Sequence, residues 1–498
     1  MPNEYVDVLI IGAGLSGVGA ARHLQQHCPK KTFALLEGRQ AMGGTWDLFR
    51  YPGIRSDSDM FTLGYNFKPW TNPKAIADGP SIREYIQETA YETGIDRHIR
   101  YGHKVKRASW SSQAALWTVE VEREGQEQTQ TIDCHFIVSC TGYYNYAAGY
   151  SPEFSGSENF AGKIVHPQHW PEDLDYAGKK VVVIGSGATA VTLIPAMAEK
   201  TAHITMLQRS PTYVATVPER DEISEKLRKF LPEKIVYRLA RTRNVAFQML
   251  IYRLCLAKPE TMRRLLLQQV RKQVGPDFDM KHFTPHYNPW EERLCAVPDG
   301  DLFKTIRKGK ASVVTDHIDH FTETGILLKS GEKLDADIIV TATGLDLQIM
   351  GGIDLSVDGV PFDVSKSMAY KAIMFSDLPN LAMMFGYTNA SWTLKSDISS
   401  EYVCRLLKHM DRKGLQQCTP RNSDPSVDQE PFLNFRAGYV QRAAAKFPRQ
   451  GTKAPWRIFQ NYALDLASLR LSGLDDGAME FSNPAPKRKS FSLGNLFS

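Results

Sequence analysis

The sequence predicts an α/β protein with two Rossmann-like dinucleotide-binding domains and a helical insertion. Three observations lead to this prediction. A strand–glycine-rich turn–helix pattern occurs twice, beginning at residues 12 and 185. Each copy is followed later in the chain by a buried strand that ends in Thr-Gly, at residues 141–142 and 343–344. A long segment with apolar residues at helical spacing lies between the two halves of the second copy.

The composition is that of an ordinary globular protein. The 498 residues are 42% hydrophobic and 23% charged, with a formal net charge of +5, which argues against a disordered, collagen-like or nucleic-acid-binding chain. We expect no signal peptide and no transmembrane helix, because the apolar runs are too short. Seven scattered cysteines without a CxxC pair disfavour a disulfide framework, a zinc knuckle or a dithiol centre, and a cytoplasmic location fits best.

The first glycine-rich copy predicts an FAD site. Gly12 permits a tight turn, Gly14 lets the backbone approach a pyrophosphate, and Gly17 lets helix and strand pack closely. The helix N-terminus then offers free N–H groups to the anion. Glu37 ends the next strand, 20 residues after Gly17, where its carboxylate accepts from ribose hydroxyls and repels a 2′-phosphate. FAD or NAD therefore fits, whereas NADP does not. The alternative is a glycine turn in an unrelated α/β protein.

The second copy predicts an NADP site. Gly185, Gly187 and Ala190 repeat the motif, and the strand that follows ends at Gln208 and Arg209. A guanidinium in the position of Glu37 suits the 2′-phosphate of NADP, although Arg209 can also be read as a solvated charge. The expected NADP residues of this copy are Ile184, Gly185, Ser186, Gly187, Ala188, Thr189, Ala190, Val191, Gln208 and Arg209.

These patterns divide the chain. The expected segments are the first part of the FAD-binding domain (1–147), the first part of the NADP-binding domain (148–210), a helical insertion (211–292), the second part of the NADP-binding domain (293–375), the second part of the FAD-binding domain (376–480) and a disordered tail (481–498).

A basic segment lies inside the expected insertion. Residues 226–272 contain thirteen Lys or Arg against Glu233 and Glu260, a net charge of +11, so the rest of the chain carries 5 − 11 = −6. Two interpretations stand: peripheral contact with an anionic membrane surface, or a solvated helical face.

Three further motifs resemble those of one enzyme family. They are Phe160-x-Gly162-x-x-x-His166-x-x-x-Trp170-Pro171, the run 43–46 (Gly-Gly-Thr-Trp) followed by Asp57, and the Asp-x-x-x-x-Ala-Thr-Gly pattern at 337–344. Together they resemble the type I Baeyer–Villiger monooxygenases, class B flavoprotein monooxygenases. The runs 46–59, 166–170 and 386–392 resemble the ethionamide-activating subgroup in particular.

The resemblance implies a reaction. An enzyme of this family uses NADPH, FAD and O₂ to insert oxygen beside a ketone carbonyl through a peroxide formed on the flavin, giving an ester or lactone. The subgroup also oxidises sulfides and thioamides. The expected partners are therefore small ketones, sulfides or thioamides. Three rivals remain: a flavin monooxygenase limited to S- or N-oxygenation, a dithiol reductase, and a non-catalytic FAD-binding partner protein.

The resemblance also assigns roles to residues. Arg293 matches the family's catalytic arginine and Asp57 its carboxylate partner, although Arg293 can instead form a surface ion pair with Glu291 or Glu292. Glu292 stands where many relatives carry a lysine that contacts the NADP phosphate. The expected FAD residues are Gly12, Gly14, Ser16, Gly17, Glu37, Gly44, Thr45, Trp46, Asp47, Leu48, Asp57, Val105 and Asn389. Arg55, Ser56 and Asp57 join the expected NADP set.

The sequence allows two interpretations of His166 and two of residues 389–391. His166 can be a hinge residue between domains or a base or metal ligand; with no second ligand at helical spacing we favour the hinge and expect no metal site. Residues 389–391 precede a helix, so the N–H groups of its first turn can face the flavin pyrimidine, or the residues can form an ordinary helix cap.

Overall fold

The structure is a computed structural model that describes residues 3–126, 128–292, 294–433 and 437–484. Arg293 and residues 485–498 of the expected tail lie outside these ranges. In the described ranges the α-helices are, in chain order, α1 Leu15–His27, α2 Thr45–Leu48, α3 Met60–Leu63, α4 Gly79–Thr93, α5 Ala188–Met197, α6 Glu222–Leu227, α7 Glu233–Ala257, α8 Pro259–Val274, α9 Asp301–Arg307, α10 Trp392–Lys413, α11 Gly438–Ala443 and α12 Tyr462–Leu466.

The strands of the same ranges are β1 Glu4–Ile11, β2 Phe33–Leu36, β3 Ile99–Arg100, β4 His103–Ser111, β5 Leu116–Arg123, β6 Gln130–Ser139, β7 Lys163–Val165, β8 Lys180–Ile184, β9 His203–Gln208, β10 Val214–Val217, β11 Cys295–Pro298, β12 Ala311–Thr315, β13 Ile318–Thr322, β14 Gly325–Leu328, β15 Lys333–Asp335, β16 Ile338–Thr341, β17 Asp354–Val357, β18 Val360–Phe362, β19 Ala369–Tyr370, β20 Met374–Phe375, β21 Leu381–Met383, β22 Gln417–Pro420, β23 Gln429–Pro431, β24 Arg449–Gly451 and β25 Met479–Ser482.

The first nucleotide domain is built on a nine-stranded sheet with the order β18-β17-β4-β5-β6-β1-β2-β3, in which β21 also pairs with β6. Strand β1 is parallel to both of its neighbours, with Ile10 opposite Leu35 and Val138. Val8, Leu9 and Ile10 are fully buried, as a continuous apolar run covered on both faces requires. Helix α1 packs against α10, so a late segment of the chain completes this domain.

The second nucleotide domain is a five-stranded sheet with the order β12-β9-β8-β16-β7. All of its pairs are parallel, and Val183 on β8 lies opposite Met206 and Val340. The predicted architecture of two Rossmann-like domains with a helical insertion is confirmed.

The two glycine-rich loops make the same close contact. At Gly12 the backbone has φ +103°, and a Cβ there would lie 2.6 Å from the carbonyl oxygen of Cys140. At Gly185 φ is +136°, and a Cβ would lie 2.3 Å from the carbonyl oxygen of Ala342. Each first glycine thus lies against the strand end that runs into its own Thr-Gly pair, so only glycine fits in either place.

The chain returns to the first sheet earlier than residue 376, where the sequence placed the boundary. Strand β17 pairs with β4, with Leu355 opposite Ala108, and β18 extends the sheet by a hairpin. The joining interaction is edge-strand hydrogen bonding, which leaves no sequence signal of its own. At the other end, β25 pairs with β22 and takes in Phe481 and Ser482, two residues that the sequence assigned to the tail.

Arg241, whose side chain is 12% exposed, is one of the residues that hold the insertion on the first domain. On α7, Arg241 donates to the carbonyl oxygens of Phe61 (2.9 Å) and Gly64 (2.7 Å), and its Nη2 lies 3.3 Å from Asp397 Oδ2. Asp397 is buried and also lies 3.2 Å from His23 Nε2. A buried carboxylate of this kind needs its partners, so loss of Arg241 would leave an uncompensated charge.

Gly17→Ala should destabilise the protein, because a Cβ at Gly17 would lie 1.8 Å from the carbonyl oxygen of Gly12. The second copy carries Ala190 in the corresponding position, where it is fully buried without such a conflict. Overpacking of a core usually costs about 1–3 kcal/mol, so the thermal midpoint should fall clearly. Gly473→Ala is the matched control, because that glycine is exposed and its Cβ would meet only Asp475 O at 3.7 Å. Equal midpoints for both variants would contradict the packing argument.

Candidate active site

A large cavity runs along the carboxyl ends of the first sheet and into the second domain. Ile11, Leu36 and Cys140 line it where β1, β2 and β6 end, and Ala188 and Thr189 line it from the second domain. Its volume is about 1840 Å³, well above the roughly 300–1,000 Å³ of a pocket for one drug-sized ligand. The cavity therefore has room for more than one extended ligand.

The first glycine-rich loop contacts the 43–46 motif at the floor of this cavity. A Cβ on Gly14 would lie 3.3 Å from the Cα of Gly44, and the backbone N–H of Gly43 donates to the carbonyl oxygen of Ala13 at 3.1 Å. Trp392 Nε1 donates to Ser16 Oγ at 2.7 Å. These contacts fix the entrance of α1 against the 43–46 motif and against α10, and they keep side chains away from the space that a pyrophosphate would take.

Glu37 presents its carboxylate at the same loop. Oε2 accepts from the N–H of Ala13 (2.9 Å) and Oε1 from the N–H of Arg39 (3.0 Å). Burial raises the pKa of Glu37, while these two hydrogen bonds oppose the rise. The carboxylate is thus oriented by backbone groups and borders the cavity, as an acceptor for ribose hydroxyls must.

Most of the expected FAD residues line the cavity: Gly12, Gly14, Ser16, Glu37, Gly44, Thr45, Trp46, Asp57, Val105 and Asn389. Three do not. Gly17 packs against Gly12, and Leu48 lies in the hydrophobic core of the second domain. The Asp47 carboxylate is buried among Arg39 (2.7 Å), Arg50 (2.5 Å) and Arg83 (3.3 Å). The side chains of Asp47 and Leu48 therefore brace the motif from behind the cavity.

The expected NADP residues divide in the same way. Arg55, Ser56, Asp57, Ala188 and Thr189 line the cavity. The other expected residues are not among the lining residues: Ile184, Gly185, Ser186, Gly187, Ala190, Val191, Gln208 and Arg209.

The second glycine-rich loop faces open space. A Cβ at Gly187 would meet no atom within 4 Å, which leaves a cradle for a ligand at the N-terminus of α5. Gln208 is buried and donates to His282 O (2.7 Å) and Thr315 Oγ1 (2.9 Å). Arg209 is exposed. Burial raises the pKa of Glu292, and the positive charge of Arg209 opposes that rise, so the two side chains interact electrostatically.

Of the expected catalytic pair, Asp57 lies within the described residues and Arg293 does not. Asp57 is exposed and lines the cavity. Trp290 and Leu294, three residues before and one residue after Arg293 in the sequence, also line it. The neighbouring Arg55 forms an ion pair with Asp301, with 3.3 Å between Nη2 and Oδ1. Arg55 is thus anchored to the start of α9 in the second domain.

The start of α10 also borders the cavity. Thr388, Asn389 and Ala390 line it. Ser391 occupies the N-cap position without making a capping hydrogen bond; its Oγ lies 2.6 Å from Thr62 Oγ1 instead. The cap residue therefore does not satisfy the N–H groups of the first turn, which an ordinary side-chain cap would do.

The family fingerprint lies at the β7 edge of the second sheet, and its residues are not among those that line the cavity. Phe160 packs edge-on against Phe321, and a Cβ at Gly162 would lie 2.2 Å from Asp337 O. The His166 ring covers Gly149, where a Cβ would lie 2.0 Å from His166 Cε1. Burial lowers the pKa of His166. Trp170 packs against the core of the second domain, and Pro171 follows it. The hinge role of His166 stays a prediction.

The sequence reasoning missed the contribution of the insertion to the site. Helix α7 lines the cavity with Arg243, Asn244, Phe247, Gln248 and Ile251. Asn244 Nδ2 and Gln248 Nε2 each donate to the Asp59 carboxylate at 2.9 Å, and burial raises the pKa of Asp59. The sequence signal for this contribution was the pair of amides four residues apart on one face of a predicted helix. The same pair also occurs where amides make purely structural contacts, so the signal does not identify a site.

Within the described ranges, no group of three or more His, Cys, Asp or Glu side chains is placed to hold a metal ion. None of the helices in those ranges combines the length and the apolar composition that a bilayer crossing demands.

Sequence comparison identifies similar proteins over nearly the whole chain. The profile of flavin-binding monooxygenase-like proteins matches residues 72–413, and that of the NAD(P)-binding Rossmann-like domain matches residues 10–72. The putative FAD-containing monooxygenase MymA of Mycobacterium tuberculosis is 56% identical, covering 97% of this chain and 99% of that protein. The FAD-containing monooxygenase EthA of the same species is 54% identical with the same coverage.

Solved structures share the fold. An oxidised steroid monooxygenase bound to NADP superposes with a TM-score of 0.76 at 22% identity, covering 96% of this chain and 100% of that one. An open crystal structure of cyclohexanone monooxygenase gives a TM-score of 0.75 at 20% identity, covering 97% and 100%.

Glu37→Gln should weaken binding of the dinucleotide expected at the first loop. The amide keeps one acceptor oxygen but turns an NH₂ group toward a backbone N–H, and the charge-assisted bonds to ribose are lost. The expected dissociation constant for FAD, measured by fluorescence titration of the apoprotein, rises about 10- to 100-fold. Glu172→Gln, at an exposed carboxylate, is the control. Unchanged affinity of the Glu37 variant would exclude the ribose contact.

Proposed function

Because the chain belongs to the flavin-binding monooxygenase-like family, we propose that it is an FAD-containing, NADPH- and O₂-dependent monooxygenase that inserts oxygen beside a ketone carbonyl. The products would be esters or lactones, the outcome of a Baeyer–Villiger oxidation. Sulfides and thioamides are proposed as further substrates, oxygenated on sulfur. The more general conclusion, that the chain is a flavin monooxygenase with two nucleotide-binding domains, rests directly on the family and the fold.

One observation carries the proposal: a single cavity is bordered by residues of both nucleotide domains and by the insertion. A monooxygenase of this class needs a reductant, a flavin and a substrate side by side in a place that excludes water. The FAD expected from the sequence fits the first loop, because the glycines there leave a cradle free of Cβ atoms and Glu37 offers an oriented acceptor. When bound, FAD supplies hydride acceptance from NADPH and the activation of O₂.

The chain itself would supply orientation and charge. The first turn of α10, whose cap residue makes no capping bond, would direct N–H groups and the positive end of the helix dipole toward negative charge on the flavin ring. Asp57 would hold the guanidinium of Arg293, and that cation would stabilise the oxyanion that forms when the ketone carbonyl is attacked.

The rivals differ in their products. A flavin monooxygenase limited to S- or N-oxygenation would give sulfoxides but no ester, and a non-catalytic FAD-binding protein would consume no NADPH. Aerobic NADPH oxidation across a panel of ketones and sulfides, with products identified by mass spectrometry and ¹⁸O₂ incorporation, distinguishes the proposed activity from these two rivals. Sulfoxide without ester from every ketone would reduce the proposal to S-oxygenation.

Arg293→Ala should nearly abolish ester formation while FAD and NADPH still bind. Loss of one charge stabiliser at an oxyanion usually costs about 10²–10³ in rate. Asp57→Ala should be milder because it misplaces the guanidinium without removing it, and Arg293→Lys should rescue poorly because an ammonium lacks the planar fork. Ester yield per NADPH consumed is the measurement. Near-normal yield from Arg293→Ala would move the role to another cation, with Arg55 the first to test.

Arg209→Ala should raise the KM for NADPH by about one to two orders of magnitude and leave the KM for NADH nearly unchanged, because only NADPH carries the 2′-phosphate. Glu292 supplies a second variant. Its carboxylate interacts with Arg209 and would compete with the phosphate, so Glu292→Gln should lower the KM for NADPH. Steady-state kinetics of both variants with NADPH and with NADH give these KM values. An equal rise of both KM values in Arg209→Ala would assign Arg209 a structural role.

A further inference from the structure

The outward side of the insertion exposes apolar side chains. Of the fourteen large hydrophobic residues that are exposed in the described ranges, eight fall between residues 223 and 265: Ile223, Phe230, Ile235, Leu239, Phe247, Leu250, Leu256 and Leu265. Phe230 is 83% exposed. Single exposed apolar residues are normal on a protein surface, but a cluster of this density marks an interaction site.

Helix α7 arranges several of these residues in one stripe. At 100° per residue, Ile235, Leu239, Ala246 and Leu250 fall within about 60° of one another around the helix. The opposite side carries Tyr237, Ala240 and Gln248, which are buried or line the cavity. The helix is therefore apolar on two sides, and only one of them has a partner within the described chain.

Cations surround the stripe. Seven exposed basic residues of the segment form no ion pair with any described residue: Lys229, Lys234, Arg238, Arg253, Lys258, Arg264 and Lys272. The segment 226–272 as a whole carries +11 in a chain of net +5. A second copy of this surface would be repelled by it, whereas an anionic surface would be attracted.

The same segment reaches the cavity. Ile223 and Phe247 are both exposed and part of the cavity lining, and Lys226 and Lys229 line the cavity beside them. An apolar molecule that leaves a surface in contact with the stripe would thus meet apolar side chains at the cavity mouth.

We propose that the exposed face of residues 223–272, the lipid-facing surface, docks on an anionic lipid bilayer and admits apolar substrates from it into the cavity. Interleaved apolar and basic side chains are the composition of a helix that lies in a membrane interface. The docking rests on this surface alone; the admission of substrate rests on the proposed function.

Vesicle co-sedimentation tests the docking. The full-length protein with its flavin should sediment with vesicles of phosphatidylglycerol and phosphatidylcholine, less with phosphatidylcholine alone, and less again at high salt. Leu239→Glu with Leu250→Glu, and separately Arg238→Glu with Arg253→Glu, should each weaken binding about tenfold or more. Leu471→Glu is the matched control, since Leu471 is 84% exposed outside the segment. Flavin content and thermal midpoint establish that the variants are folded.

Two results would overturn the proposal. One is no sedimentation of the wild-type protein with anionic vesicles, or sedimentation that both paired variants retain. The other is a change from dimer to monomer in the leucine variant, measured by light scattering without lipid, which would assign the stripe to a second copy.

For substrate admission, the docking variants should lose turnover of a long-chain ketone carried in vesicles by about tenfold or more and keep turnover of a short water-soluble ketone. Turnover of neither ketone by the wild type would refute the proposed function and leave the sedimentation result standing.

Discussion

The rest of the structure depends on the close approach of a glycine to a strand end, made once in each nucleotide domain. Gly12 lies against the carbonyl of Cys140, and Gly185 lies against that of Ala342, at distances that no Cβ could occupy. This contact brings the loop, the helix N-terminus and the end of the adjacent strand to one edge of the sheet, where α/β folds bind their ligands. The common cavity follows, because both edges open toward the same space.

Buried charges then decide how the third component, the insertion, sits on the two domains. Arg241 satisfies the backbone of the 61–64 turn and the carboxylate of Asp397, while Asn244 and Gln248 satisfy Asp59. Each carboxylate would be costly to bury alone. The inward side of α7 therefore combines these polar contacts with buried apolar residues such as Val236 and Ala240, and a second apolar stripe is left facing outward.

The sequence predicted the parts of the molecule in which local pattern and tertiary contact coincide. The glycine loops, Glu37 and the Thr-Gly strand ends combine a required residue type with fixed spacing, and the structure brings Gly12, Gly14 and Glu37 together as expected. The side chains of Asp47 and Leu48 do not line the cavity, because spacing does not say which face of a short turn meets it, and their place in the FAD site stays a prediction. The pairing of β17 with β4 depends on a contact between distant segments, for which a single sequence carries no signal. The contact of Gln248 with Asp59 had only the ambiguous signal of two amides on one helix face.

The short ribbon that bounds the insertion has an evolutionary consequence. Strands β10 and β11 are parallel partners, with Val214 opposite Cys295, so the intervening chain leaves the second domain and re-enters it within a few residues of the same place. Segments attached in this way can be lengthened, shortened or exchanged with little effect on the core that hosts them. Because this segment forms part of the cavity wall, homologous recombination at its two ends would alter the range of accepted molecules while both nucleotide sites are inherited unchanged.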